Sequence, residues 1–199
     1  GGLYRFVPDT WGDLSSGTLE ILTEPVSGPL AWVEVPDPAG NPVATRNQVA
    51  DTKRFNGGEG IDIVAGGVAF TTKGDNRVWR YDPVANALAI IYDDDIQVNG
   101  VLSGVDNLVT SRTGVVYVAE DGGDMQIVLL RADGSTFPVV RIDENPTSEI
   151  CGPAFDPSGT RLYFSSQRDP GTTYEVTGPW SAFTQLGAIT QADLAGFSG

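Results

Sequence analysis

The residues of this chain that could do chemistry are carboxylates. The sequence has no histidine and a single cysteine, Cys151, so most catalytic toolkits are missing. Acidic residues instead recur at the ends of apolar runs: Glu59 in "GGEGIDIV", Asp106-Asn107 in "GVDNLVTS", Glu120-Asp121 in "VVYVAEDGG" and Glu149 in "SEICGPAF". Asp106-Asn107 opens one apolar run and Glu120-Asp121 closes the next, which places acids at both ends of a short buried hairpin. Carboxylates gathered around one opening repel one another by several kcal/mol, on the order of magnitude, unless cations intervene. Oxygen-only donors suit hard ions such as Ca²⁺, Mg²⁺ or Mn²⁺. The pattern therefore predicts Glu59, Asp106, Asn107, Glu120, Asp121 and Glu149 as metal ligands, with Ca²⁺ foremost. Arg54, five residues before Glu59, is the candidate for holding an anionic group beside the metal, and Arg46 is a weaker one on the same loop. Lys73 reads as an exposed loop-tip residue. Arg168 in "SSQRDPG" occupies the loop equivalent to Glu120-Asp121 and reads as solvent-facing.

The absences prune the alternatives. Without histidine there can be no Ser-His-Asp triad, Cys-His pair or His-ligated zinc or iron site from this chain alone. One cysteine allows no intrachain disulfide, and its apolar flanks predict a buried small hydrophobe. "GGEG" lacks the Lys-Ser/Thr and the strand-to-helix setting of a phosphate loop. With 26 acidic against 12 basic residues the net charge is −14, which repels nucleic acid at long range. No run of about 18 apolar residues is present. The chain begins Gly1-Gly2-Leu3 without a Met or a basic-plus-apolar leader, and is read as a fragment or a processed product.

The elements that must position these residues are strands. Helical periodicity is nearly missing, and only 181–199 has weak helix or loop character. Short β-branched runs centred on Phe70, Tyr117 and Tyr163 repeat at separations of 47 (70 to 117) and 46 (117 to 163) residues. That period matches β-propeller blades of four strands each. Each unit reads as inner strand, tight turn, second strand, acidic loop, third strand, turn and outer strand. Glu59 and Asp106, 47 residues apart (59 to 106), hold the phase at the start of the inner strand. "LAIIYDD" and "PVVRI" supply the fourth strands of the first two units. "GGLYRFVPD" and "GTLEILTEP" read as the third and fourth strands of a partial earlier unit, followed by a Pro-rich connection over 24–53. The expected fold is thus all-β: about three four-stranded blades plus a partial one, in a single domain over 1–199. Such an incomplete propeller is expected to be completed by a missing segment or a partner chain. A small β-sandwich is the alternative.

In order along residues 45–180, "RFNGGEGI", "VAFTTKGDNRVWRYDP", "VDNLVTSRTGVVYVAEDGG", "SEICGPAFDPSGTRLYFSSQR" and "TYEVTGPW" resemble the C-terminal part of the PhoX family of bacterial alkaline phosphatases. The resemblance implies a β-propeller with iron (Fe³⁺) and calcium (Ca²⁺) ions near its axis that hydrolyses phosphate monoesters. It also implies an exported protein, periplasmic or extracellular. By motif, Glu59, Asp106 and Asp121 match the family's acidic metal ligands, Glu149 is a further ligand, and Arg54 matches its phosphate-contacting arginine. The family's iron-binding cysteine belongs to the N-terminal part, so Cys151 does not take that role. The partners implied are the remaining blades and a phosphorylated small molecule, and the chain alone is expected to be inactive. Two other readings stay open: a calcium-stabilised propeller that binds or scaffolds without catalysis, and a lactonase-like calcium propeller in which "GEG" and "DNL" serve one ion.

Overall fold

A computed structural model describes residues 1–97, 100–131 and 133–186. The expected tail therefore lies outside the described residues except for its start, which belongs to a 3-10 helix over Trp180–Leu186. Contacts divide the chain into two units, Gly1–Gly58 and Glu59–Gly199.

The first unit is one antiparallel sheet. Its strands are β1 (Tyr4–Thr10), β2 (Asp13–Thr23) and β3 (Ala31–Glu34), in the order β1-β2-β3. The hairpin between β1 and β2 closes through Trp11-Gly12, and Gly12 takes the positive φ (88°) that such a turn needs. Ile21 and Leu22, at the far end of β2, are fully buried. The expected third and fourth strands are thus β1 and β2, but the supposed connection over 24–53 contains a third. Its prolines flank "AWVE" rather than interrupt it, so Ala31–Glu34 keep the amide donors that pair with Glu20 to Thr23.

The second unit repeats one hairpin plan three times. The first sheet runs β4 (Gly58–Val64), β5 (Gly67–Thr72), β6 (Arg77–Asp82), β7 (Ala87–Asp93). The second runs β8 (Val105–Thr110), β9 (Val116–Glu120), β10 (Gln126–Leu130), β11 (Thr136–Arg141). The third runs β12 (Ile150–Phe155), β13 (Arg161–Ser166), β14 (Thr172–Thr177), with no fourth strand among the described residues.

Burial explains the stacking. Side chains alternate across a strand, so a sheet covered on both faces must be apolar on both. β9 and β10 are buried along their whole lengths, and all their residues but Glu120 and Gln126 are apolar. Val116 and Val118 of β9, with Val128 and Leu130 of β10, pack on Val64, Ala69, Val78 and Ile91 of the first sheet. The alternate residues Tyr117, Ala119, Ile127 and Leu129 pack on Ile150, Leu162 and Phe164 of the third. Trp180 closes this second core, edge-on to Tyr117 and Phe155 with ring centroids 5.8 and 5.6 Å away.

The first strands of the three sheets lie side by side. Thr110 of β8 donates its backbone N–H to Asp62 of β4 (2.7 Å), and Gly152 of β12 donates to the Asn107 side chain (2.8 Å). At Gly60 the backbone of β4 closely approaches β8: a Cβ there would fall 2.4 Å from the Leu108 amide nitrogen.

Candidate functional site: a carboxylate cluster between three sheets

Each sheet offers two positions at one end of the second unit. One is the start of its first strand, and the other is the loop between its second and third strands. The strand starts supply Glu59, Asp106 and Glu149. The loops supply Lys73, Asp121 and Arg168, spaced 48 (73 to 121) and 47 (121 to 168) residues apart. Equivalent places in successive sheets therefore present cation, anion, cation.

The backbone fixes these positions. The β8/β9 pairing is irregular between Val105 and Leu108, so Asp106 and Asn107 sit in a bulge that turns their side chains off the regular ladder. The β12/β13 pairing breaks at the equivalent place, between Cys151 and Ala154. Thr71 of β5 accepts from Gly60 N–H (2.9 Å) and donates to the Asp106 carbonyl, joining three strands under the cluster. Asp121 is held by its own N–H to the carbonyl of Gly104 (2.8 Å), and Arg168 by its N–H to the buried Ser148 hydroxyl (2.9 Å).

Carboxylate oxygens of Asp106, Asp121 and Glu149 lie within 4.8 Å of one another. The Lys73 ammonium is in direct contact with Asp121 and 3.7 Å from Asp106. Arg168 bonds Glu149 (2.8 Å), reaches Asp121 (3.5 Å), and also donates to the Thr147 carbonyl (3.0 Å). Asn107 donates to Asp106 (2.8 Å).

The electrostatics show the crowding. Burial, then the charge of Glu59, holds the Asp106 carboxyl above its ordinary range, with Lys73 opposing. Burial, then the neighbouring Asp121, does the same to Glu149. Asp121 is also burdened by burial, but its bonds to Lys73 and Glu149 and the charges of Lys73 and Arg168 bring it below the usual value. When all are ionised, four carboxylates (59, 106, 121, 149) face two cations (73, 168), which leaves a net charge of −2. All donors are oxygens, the cluster carries an excess of negative charge, and burial and neighbouring charge hold the Asp106 and Glu149 carboxyls above their ordinary range. The residues present therefore fit Ca²⁺, and their hard donors suit Fe³⁺ as well.

The structure thus brings together Asp106, Asp121 and Glu149 of the expected ligands, with Asn107 bonded beside Asp106 and the charge of Glu59 felt by Asp106. Glu120 is a correction. It is fully buried and turned away from its neighbour, accepting the backbone N–H groups of Ser103 (2.8 Å) and Gln126 (3.1 Å). The reason is strand alternation: consecutive residues at the end of β9 point to opposite sides. Arg54 is exposed and donates to Asn47 within the first unit (3.0 Å). Cys151 is half-buried rather than core, and burial followed by the charges of Glu149 and Asp106 pushes its thiol up, away from the reactive thiolate. Lys73 and Arg168, read as loop-tip and solvent residues, join the cluster. Their phase with Asp121 was the available signal.

Glu120 also gives a pH dependence. Burial raises its carboxyl from 4.5 to about 7, against the two backbone donors that lower it. Between those values the folded protein holds a proton that the unfolded chain releases. Stability linked to this group is therefore greatest near and below pH 4.5 and is lost as pH rises through 7, by about 3 kcal/mol at most. The thermal midpoint of the metal-free protein should rise from pH 8 to pH 5.5, and Glu120→Gln should flatten that slope. An unchanged slope in the variant would refute the assignment.

The sheets are β-propeller blades. Solved structures with the same fold include a catalytically inactive variant of virginiamycin B lyase from Staphylococcus aureus with quinupristin (TM-score 0.50, 13% identity, 90% of this chain and 75% of that one). A nidogen/laminin complex gives a TM-score of 0.50 at 13% identity, over 89% of this chain and 58% of that one. Luciferin-regenerating enzyme gives 0.49 at 17% identity, over 90% and 58%. At 13% identity the first two show a likeness of fold alone. The sequence matches no protein-family model and no curated protein.

Proposed function

We propose that this chain contributes a divalent-cation centre to a propeller enzyme that hydrolyses phosphate monoesters. The observation that carries this reading is the arrangement of Asp106, Asp121 and Glu149 within 4.8 Å, flanked by Lys73 and Arg168. Carboxylates alone would serve a structural ion. Carboxylates edged by a guanidinium also provide for an anionic ligand at the ion's open side. The sequence resemblance to the PhoX phosphatases, through "GEG", "DNL" and "AEDGG", points the same way.

Asp106, Asp121 and Glu149 would hold the metal, with Glu59 and Asn107 at the margin. A bound Ca²⁺ or Fe³⁺ would supply charge neutralisation and Lewis acidity toward a phosphoryl oxygen. Asn107, fixed between Asp106 and Gly152 N–H, keeps the Asp106 carboxylate oriented. Arg168 is half-exposed at its side chain (48%), so its guanidinium can bond phosphate oxygens while its backbone stays anchored on Ser148.

Inorganic phosphate binding to the Ca²⁺-loaded chain, followed by calorimetry, tests the reading. The wild type should bind only with metal present, and Arg168→Gln should weaken binding roughly tenfold or more. Ca²⁺ binding without phosphate binding would overturn the phosphatase reading and favour a calcium-stabilised binding propeller.

A further inference from the structure

We propose that Lys73 is a built-in counter-cation that competes with a divalent ion for Asp106 and Asp121 and so sets the affinity of the site. The inference rests on the cation-binding reading above and adds a residue that works against binding.

Lys73 begins a short 3-10 helix, Lys73–Asp75, whose ends are pinned. Thr72 Oγ1 donates to Asp75 (2.5 Å), Arg77 pairs with Asp75 (3.1 Å), and Asn76 closes the turn in the left-handed conformation with φ 47°. Asn76 also accepts the N–H of Val105 (3.2 Å), the residue before Asp106, which ties this turn to the next sheet. From that fixed base the Lys73 side chain crosses to the second sheet, and its ammonium meets Asp121 and approaches Asp106. These carboxylates are two of the three that would ligate the ion. An ammonium and a metal ion cannot occupy the same oxygens, so loading requires Lys73 to leave. Arg168 differs: it is centred on Glu149 and on the Thr147 carbonyl, at the rim. Charge balance gives the same picture, since a divalent ion that displaces Lys73 replaces one positive charge by two in a cluster with a net charge of −2. Monovalent ions gain no charge by the exchange, which favours divalent ones.

Ca²⁺ titration of the full chain by calorimetry tests this, with Lys73→Met, Lys73→Gln and, as control, Lys53→Met. Lys53 is the only other lysine and pairs with Glu24 in the first unit. Both Lys73 variants should bind Ca²⁺ at least roughly tenfold more tightly than wild type, while Lys53→Met should match it. Wild-type protein carrying ¹³C-methylated lysines gives a readout that needs no variant to fold: Ca²⁺ should shift the Lys73 signal and leave that of Lys53 in place. Wild type that binds Ca²⁺, with Lys73 variants equal or weaker and an unmoved Lys73 signal, overturns the competition alone. No Ca²⁺ binding by wild type or variants overturns the cation reading itself, so the two failures are distinguishable.

Discussion

Asp106→Asn should stabilise the metal-free protein and abolish its response to calcium. Asp106 is only 5% exposed, and burial together with the charge of Glu59 holds its carboxyl above the ordinary range. The fold therefore disfavours the ionised form, and a neutral amide of the same shape relieves that cost. The amide oxygen can still accept from Asn107, as the carboxylate does at 2.8 Å. Lys73 keeps its contact with Asp121. A higher thermal midpoint is expected without metal. Removing one of three clustered carboxylates should cut Ca²⁺ affinity by roughly 100-fold, about 2.7 kcal/mol, so the calcium-induced rise in midpoint should vanish. Thermal scans with and without Ca²⁺ read both effects. A variant that keeps the calcium-induced shift would remove Asp106 from the ligand set. One that melts lower than wild type without calcium would refute the crowding argument.

Glu120→Ala should be the most damaging single change near the site, for a reason unrelated to ligation. The Glu120 carboxylate is fully buried and satisfies two backbone donors, Ser103 in the approach to β8 and Gln126 at the start of β10. It thereby fastens the segment that delivers Asp106 to the hairpin end that delivers Asp121. Truncation leaves two buried N–H groups unpaired and opens a cavity, at a combined cost of about 3–5 kcal/mol. Chemical denaturation measures this, and a loss below about 1 kcal/mol would show that water or a rearranged loop replaces the carboxylate. Glu120→Gln should be far milder, since it fills the same space and keeps one acceptor.

Much of this was legible in the sequence, and the limits have physical causes. A β-strand writes its face assignment at a period of two, and a repeated blade writes its boundaries at a fixed interval. The runs around Phe70, Tyr117 and Tyr163 therefore define β5, β9 and β13 and the loops that follow them. The same interval places Asp121 in phase with Lys73 and Arg168, and Glu59 in phase with Asp106. β3 was obscured because prolines on either side of Ala31–Glu34 look like coil when the pairing partner is unknown.

Sequence by itself determined the strand plan of the repeats, the lack of histidine chemistry from this chain's own residues and the gathering of acids at one end of the repeats. Only the tertiary structure decided which acids share a centre. Glu120 and Asp121 are adjacent in the chain, yet the alternation at the end of β9 sends one into the backbone network and the other into the cluster. Lys73 and Arg168 looked like solvated loop residues because a partner of each, Asp121, lies in another sheet, 48 residues on from Lys73 (73 to 121) and 47 back from Arg168 (168 to 121). Charge pairing across stacked sheets depends on distances that no local pattern encodes, and those distances decide which carboxylates cluster.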